Sequence, residues 1–209
     1  MIIKICGIKD KNTIICCERN EINYFGMIFY HKSPRNISIE VAEDIINFSK
    51  NLKIKAVGVF VNEKIDDLKL LVKKLNLKYI QLHGNEDFQY IQSIKKTGIK
   101  VIKKISIKNF KDTNEIKNFY NSDYFLFDYK PLKNELPGGN AKSFDWSILQ
   151  NLKINKPWFL SGGINVENIS QIKNKIKPPG IDLSSGVEKK LGIKNNQLID
   201  NLIDSLNNA

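Results

Sequence analysis

The feature that most constrains this chain is an alternation of short apolar runs with segments whose apolar residues stand three and four positions apart. The apolar runs are strand-like and occupy residues 2–6, 23–29, 55–61, 79–82, 100–105, 123–128, 157–161 and 180–183. Ile65, Leu68, Leu71, Val72 and Leu75 show the helical spacing. Strands that alternate with helices imply a parallel sheet. The pattern therefore predicts a strand–helix unit repeated eight times, which is an α/β fold of the (β/α)8 barrel type.

The length of the chain limits how these units are connected. Eight units in 209 residues leave about 26 residues for each, near the lower limit for such a barrel, so most loops must be short. An open, doubly wound sheet with fewer strands is the alternative, because short runs such as 180–183 are weak strand candidates. One domain over residues 1–209 is expected. Helix starts are predicted at Asp10, Ser38, Asn62, Asn85 and Asn165.

Composition excludes several classes of protein. Hydrophobic residues make up 42% and charged residues 26% of the chain, which argues against wholesale disorder. No apolar run approaches the ~18 residues that cross a membrane. Cys6, Cys16 and Cys17 are too few and too badly placed for a disulfide framework. We therefore expect a cytoplasmic protein that does not bind a membrane.

The chain is basic, with 33 Lys and Arg against 22 Asp and Glu and a formal net charge of +11. Most of the basic residues are lysines spread over the whole chain, without clustered arginines and interleaved aromatic residues. Binding to nucleic acid is therefore not expected. A positive field would still speed the capture of a small anionic substrate.

The active sites of such barrels lie at the carboxyl ends of the strands, and two polar residues of this chain occupy such positions. Cys6 ends the first run, and Lys4 shares its face, which would favour the thiolate. A small buried hydrophobic residue is the equal alternative for Cys6. Asp128 ends the run Tyr-Phe-Leu-Phe, and the prolines that follow argue against a helix cap. The sequence favours a functional acid at Asp128.

Two flexible turns follow the last two runs. They are Gly162-Gly163 and Ser184-Ser185. Backbone N–H groups at such turns bind phosphate well, and barrels often place a phosphate site after strands 7 and 8. The longest non-periodic stretch, 129–143, is expected to be a functional loop.

Arg35 and His83 are further candidates. The planar guanidinium of Arg35 suits a carboxylate, with an exposed surface arginine as the equal alternative. His83 is a candidate ligand or base, although a core histidine is favoured. Cys6, His31 and His83 lack the spacing of metal ligands, so no metal site is predicted.

The residues around these strand ends resemble those of a known family. The motifs are KICGIKD (4–10), FGMIFYHKSPR (25–35), VGVFVN (57–62), QLHGNE (81–86), FLFD (125–128), GGNAKSFDW (138–146), LSGGI (160–164) and DLSSGVE (182–188). Taken in order, they resemble phosphoribosylanthranilate isomerase of tryptophan biosynthesis. The resemblance covers essentially the whole chain, and its motifs coincide with the predicted strand ends.

The resemblance implies a (β/α)8 barrel that uses no metal or cofactor, acts on a small phosphorylated substrate, and is a monomer or homodimer. The implied reaction is the Amadori rearrangement of N-(5-phosphoribosyl)anthranilate to 1-(2-carboxyphenylamino)-1-deoxyribulose 5-phosphate. Its catalytic aspartate and cysteine fall on Asp128, as general acid, and Cys6, as general base.

Binding roles are also implied by the resemblance. Arg35 would hold the anthranilate carboxylate, Asp182 would contact a sugar hydroxyl, and His83 would lie near the substrate. The phosphate would bind at the turns that contain Gly162, Gly163, Ser184 and Ser185.

Three residues depart from the family pattern. Ala141 stands where the third glycine of Gly-Gly-x-Gly is expected, and an alanine is strained there if φ is positive. Ser161 replaces a usual alanine beside the phosphate turn, a change expected to be tolerated. Asn195 replaces a usual aspartate and affects only the start of the last helix.

Two other functions compete with this one. An isomerase that also takes the aminoaldose of histidine biosynthesis would need a second phosphate site, and no matching turns follow the third and fourth strands. A cationic binding protein on a degenerate barrel would have lost the acid and the base, which are both present.

Overall fold

Eight parallel strands close into a barrel in the computed structural model, which describes residues 1–150 and 152–208. The strands follow one another around the barrel in chain order, and the last pairs with the first. They are β1 (Ile2–Cys6), β2 (Tyr24–Phe29), β3 (Lys55–Phe60), β4 (Tyr79–Leu82), β5 (Lys100–Ile107), β6 (Tyr124–Tyr129), β7 (Trp158–Leu160) and β8 (Gly180–Leu183). The predicted (β/α)8 barrel is confirmed, and the open sheet is excluded.

Regular helices follow the first four strands. They are α1 (Lys11–Arg19), α2 (Ile39–Ser49), α3 (Ile65–Lys74) and α4 (Phe88–Lys95). Asp10 and Ser38 begin α1 and α2 as predicted, because their side chains accept hydrogen bonds from Thr13 N and Val41 N. Cys16 and Cys17 lie on the buried face of α1.

The helix starts predicted at Asn62 and Asn85 are wrong. α3 and α4 begin after Lys64 and Asp87 instead. Asn62 has a φ of 52° and its Oδ1 accepts a hydrogen bond from Asn85 N at 2.7 Å. Its own backbone N donates to Glu86 Oε1 at 2.8 Å. The side chain of Asn62 therefore ties the loops after β3 and β4 together and is not free to cap a helix.

The expected helices after β5, β6 and β7 are replaced by irregular segments. A 3₁₀ segment (Phe110–Phe119) follows β5, and a short 3₁₀ turn (Trp146–Leu149) is the first helical element after β6. After β7, α5 (Ile169–Gln171) continues into a π-helical turn (Ile172–Ile176). The segment after β5 is rich in Asn and Asp, whose side chains compete for backbone hydrogen bonds. Residues 130–145, here called the β6 loop, contain the prolines and glycines that prevent a helix.

The chain ends with a hairpin and a helix. β9 (Glu188–Lys190) and β10 (Ile193–Lys194) pair antiparallel beyond β8, and α6 (Asn196–Asn207) follows them. Asn195 accepts hydrogen bonds from Gln197 N and Leu198 N, so it caps α6 although it departs from the family pattern. None of the described helices has both the length and the apolar character needed to cross a membrane.

The strands are mostly apolar because both of their faces are buried. Tyr24, Val57, Ile102, Leu126 and Phe159 pack together inside the barrel. Their neighbours along the strands belong to the larger core cluster. The interior positions nearer the carboxyl ends carry polar side chains instead, and these form the candidate site.

Candidate active site

All nine residues predicted for the site line two adjoining cavities at the carboxyl end of the barrel. The larger cavity, open to solvent, has a volume of about 550 Å³. Of the predicted residues, it is lined by Cys6, Arg35, His83, Asp128, Asp182 and Ser184. The second cavity shares Asp128, Asp182 and Ser184 and adds Gly162, Gly163 and Ser185. Residues from opposite ends of the chain therefore meet at one site, as expected for a closed barrel.

Cys6 lies at the end of β1, buried against β2. A side chain at Gly26 would put its Cβ 2.8 Å from Cys6 Sγ, so glycine is needed there. Burial raises the pKa of the Cys6 thiol, and the positive charge of Lys4 offsets this only in part. Lys4 Nζ donates a hydrogen bond to Asp182 Oδ1 at 2.9 Å. Lys4 therefore favours the thiolate, as expected, but burial outweighs its effect and the net pKa of Cys6 is raised.

Asp128 and His83 lie side by side in the wall of the larger cavity. Asp128 Oδ1 accepts a hydrogen bond from Tyr129 N at 2.8 Å, and Oδ2 lies 3.4 Å from His83 Nε2. Gln81 Nε2 lies 2.8 Å from His83 Nδ1. With Gln81 as the donor, the proton of the neutral ring lies on Nε2, towards Asp128. Burial, helped by the positive charge of Lys104, lowers the pKa of His83.

Arg35 is held by a buried ion pair. Its side chain is 2% exposed, which excludes the surface-arginine alternative. Nε and Nη2 donate to the two carboxylate oxygens of Glu188 at 2.7 and 2.9 Å. Lys194 donates to the same carboxylate at 2.8 Å. Burial alone would raise the pKa of Glu188, but Arg35 and Lys194 together lower it to about 2.

Arg35 still faces the larger cavity through its remaining nitrogen. Nη1 lies 3.4 Å from the carbonyl oxygen of Gly139 in the β6 loop. The β9–β10 hairpin, which carries Glu188 and Lys194, therefore fixes the guanidinium while one edge of the planar group stays at the cavity.

The second cavity is built from backbone. Gly162 and Gly163 have φ values of 91° and 69°, a region that side chains rarely adopt. A Cβ at Gly162 would lie 3.0 Å from Asp128 Oδ1. Within the described chain, the N–H groups of Gly162 and Gly163 donate to no protein acceptor. Free N–H groups around a small cavity are suited to an anion.

Ala141 lies in the wall of this second cavity with a φ of 56°. The sequence departure noted above therefore falls on a position in the left-handed region. An alanine there is strained relative to glycine. Ser161, the second departure, lines both cavities.

Sequence reasoning missed three charged residues at the site. Glu188 pairs with Arg35, Lys194 pairs with Glu188, and Lys104 lies inside the barrel and contacts Pro137 of the larger cavity. Lys104 was detectable, because alternation along β5 puts it on the same face as the buried Ile102. The pairing of Glu188 with Arg35 was not, because 153 residues separate them. Among the described residues, no group of three or more His, Cys, Asp or Glu is arranged to hold a metal ion.

Comparison with known sequences identifies the family of this chain. The family model described as N-(5'-phosphoribosyl)anthranilate (PRA) isomerase matches residues 3–205. An N-(5'-phosphoribosyl)anthranilate isomerase of Rhizobium johnstonii is 38% identical, with 99% of this chain and 94% of that protein covered. One of Parabacteroides distasonis is also 38% identical, with 99% and 93% covered.

Solved structures agree with the sequence comparison. The phosphoribosylanthranilate isomerase of Thermotoga maritima superposes with a TM-score of 0.89 at 30% identity, and both chains are covered completely. A structure of phosphoribosylanthranilate isomerase in complex with reduced 1-(o-carboxyphenylamino)-1-deoxyribulose 5-phosphate superposes with a TM-score of 0.85, also at 30% identity and complete coverage of both chains. With a closed eight-stranded barrel and a match over nearly its full length, the chain belongs to the N-(5'-phosphoribosyl)anthranilate isomerase family, the isomerases of tryptophan biosynthesis that carry out the Amadori rearrangement of phosphoribosylanthranilate.

Proposed function

We propose that this isomerisation proceeds here by general acid–base catalysis, with Asp128 as the acid and Cys6 as the base. The observation that carries the proposal is that both side chains line the larger cavity, which adjoins a backbone cradle suited to phosphate. The two groups come from β1 and β6, so a sugar in the cavity has one of them on either side.

The proton transfers follow from the chemistry of the substrate. Asp128, in its carboxylic acid form, gives a proton to the furanose ring oxygen as the bond from that oxygen to C1 breaks. The open chain is then a protonated Schiff base between C1 and the anthranilate nitrogen. Cys6, as thiolate, takes a proton from C2, which gives an enolamine that tautomerises to the ketone. Each transfer contributes roughly 10²–10⁴ in rate.

The remaining residues are proposed to position the substrate. The free N–H groups of Gly162 and Gly163 support binding of the phosphate there, with Ser184 and Ser185 on the other side of the second cavity. Fixing the phosphate at one end leaves the sugar between the acid and the base. The same cavity wall supports a contact from Asp182 to a sugar hydroxyl.

The anthranilate end of the substrate is proposed to lie at Arg35. The edge of the guanidinium that faces the larger cavity would bind the aromatic carboxylate, and Glu188 keeps that edge in place. His83 lies beside Asp128 and is proposed to contact the sugar near its ring oxygen.

The whole chain is proposed to act as one catalytic domain in the cytoplasm, as a monomer or a homodimer. All three cysteines are free, which supports a reducing compartment. One of the Thermotoga maritima structures describes that enzyme as dimeric. Analytical ultracentrifugation of the purified chain distinguishes the two assemblies.

The test is the loss of anthranilate-type fluorescence when fresh phosphoribosylanthranilate meets the purified protein. Asp128→Asn, which keeps the shape of the side chain, is expected to lower kcat at least about a hundredfold with an unchanged circular dichroism spectrum. Asp44→Asn is the matched control, because Asp44 is an exposed carboxylate paired with Lys11. Near-normal turnover by a folded Asp128→Asn protein would show that another group is the acid.

A further inference from the structure

Lys104 is a buried cation to which the proposed mechanism assigns no role. It lies on the interior face of β5, with a residue exposure of 8%. Ile102, two positions earlier on the same face, packs in the apolar cluster inside the barrel. A lysine at such a position costs free energy unless its ammonium group gains a partner. The hydrogen-bond acceptor of Lys104 therefore indicates its role.

That partner belongs to the β6 loop. Lys104 Nζ donates a hydrogen bond to the carbonyl oxygen of Pro137 at 3.0 Å, and no other acceptor contacts it in the part of the chain that the structure describes. Burial lowers the pKa of Lys104, while the negative charge of Asp128 acts in the opposite direction. The ammonium group thus lies between the barrel interior and a backbone carbonyl of a loop.

The same stretch of loop covers the larger cavity. Pro137, Gly138 and Gly139 line it together with Cys6 and Asp128. A Cβ at Gly138 would lie 2.3 Å from His83 Nε2, and one at Gly139 would lie 2.3 Å from Arg35 Nη1. The loop is therefore seated closely on the site, which only glycine permits at these two positions. If the loop lifted away, Lys104 would lose its acceptor.

We propose that Lys104 is a positioning residue that holds the β6 loop closed over the site, through its hydrogen bond to Pro137 O. The bond joins the rigid wall of the barrel to the middle of a segment without regular structure. Closure by the loop removes water from the space around the acid and the base, where a protonated imine must not be hydrolysed. The inference depends on the proposed roles of Cys6 and Asp128 only for its kinetic consequence.

The test uses Lys104→Met in the full-length protein. Methionine keeps the length of the stem and removes the donor, and replacing a buried charge by an apolar residue of similar volume is often compatible with folding. Hydrogen–deuterium exchange of the unliganded protein is expected to become roughly tenfold faster in the peptide over residues 131–142 and to stay unchanged in β5 and β6. Lys104→Gln, which keeps a donor on a shorter stem, is expected to show a smaller increase.

Lys173→Met is the matched control. Lys173 also donates to a backbone carbonyl, that of Leu206 at 2.8 Å, but far from the site. This variant is expected to leave both the exchange of the β6 loop and the activity unchanged. Lys104→Met is expected to lower kcat/KM roughly tenfold, mainly through a higher KM, because the substrate must then close the loop itself.

Unchanged exchange of the β6 loop in folded Lys104→Met or Lys104→Gln protein would overturn the proposal, whatever the activity. Because the exchange experiment needs no substrate, its outcome is independent of whether Cys6 and Asp128 are the base and the acid. Faster loop exchange with an unchanged KM and kcat would show that the bond exists but does not position the site, and this also overturns the proposal.

Discussion

Glu188→Gln tests how much the buried pair with Arg35 stabilises the fold. Both side chains are nearly inaccessible, with exposures of 4% for Glu188 and 2% for Arg35, and Lys194 donates to the same carboxylate. Glutamine keeps the shape but removes the charge, which leaves two buried cations facing a neutral amide. Breaking a buried ion pair on one side costs about 3–5 kcal/mol.

The pKa of Glu188 gives a second measure of the same energy. It is lowered from 4.5 to about 2, and each unit of difference between the folded and unfolded chains corresponds to about 1.4 kcal/mol. The charged form therefore contributes on the order of 3 kcal/mol to stability. Because the pKa is lowered in the folded chain, this contribution is complete above pH 4.5 and is lost as the pH falls towards 2.

The assay is urea unfolding of the wild type and Glu188→Gln across a series of pH values. At pH 7 the free energy of unfolding of the variant is expected to be lower by about 3 kcal/mol. In a separate thermal unfolding experiment, the same loss corresponds to a midpoint about 6–12 °C lower. Below pH 4.5 the difference between the two proteins should shrink by about 1.4 kcal/mol for each pH unit, because only the wild type loses the charge.

The control is Glu43→Gln, which removes a carboxylate from an exposed pair with Lys74 and is expected to cost less than about 1 kcal/mol. A stability difference between the wild type and Glu188→Gln that stays constant between pH 5 and pH 3 would refute the reasoning. It would mean that the loss reflects packing of the amide and not the charge of Glu188.

Three further predictions concern the site itself. Because burial raises the pKa of Cys6, kcat/KM is expected to increase with pH beyond 9, and Cys6→Ala should abolish this increase and lower kcat at least about a hundredfold in stopped-flow assays. Arg35→Lys keeps a cation beside Glu188 but loses the planar fork, so KM should rise more than kcat falls in the fluorescence assay; a pure kcat defect would contradict the binding role. Ala141→Gly should raise the thermal midpoint by about 1–3 °C, because relief of the strained φ exceeds the added entropy of the unfolded chain; a lower midpoint in calorimetry would contradict this.

The fold was predictable because the strongest signals in the sequence are local. Buried parallel strands are continuous apolar runs, and all eight predicted strands are present within a few residues of their expected bounds. Asp10 and Ser38 cap helices because nothing else competes for their side chains. Asn62 carries the same local signal, but its side chain accepts a hydrogen bond from the backbone of Asn85 in the next loop. Whether such a side chain caps a helix or binds another loop depends on tertiary contacts that the local sequence does not show.

At the site, the sequence predicts which residues are present but not how they interact. Lys4 lowers the pKa of Cys6, as expected, but burial raises that pKa by more. The net shift depends on the extent of burial and on Asp182, which pairs with Lys4 from 178 residues away and also raises the pKa of Cys6. Contacts between β1 and β8, or between Arg35 and Glu188, exist only because the barrel closes. The spacing of these residues along the chain does not predict these contacts.

The distribution of charge shows where the positive field of this chain arises. Of the formal net charge of +11, little comes from the site. Among the described residues, five cationic side chains are buried: Lys4, Arg35, Lys103, Lys104 and Lys194. The buried carboxylates are those of Glu86, Asp128, Asp182 and Glu188. They nearly cancel, so the excess lies on exposed side chains, mostly lysines. Such charges attract a substrate that carries a phosphate and a carboxylate, and salt screens this attraction, whereas the buried ion pairs at the site are screened far less. We therefore expect added salt to lower kcat/KM without changing kcat, which stopped-flow assays at several salt concentrations would measure.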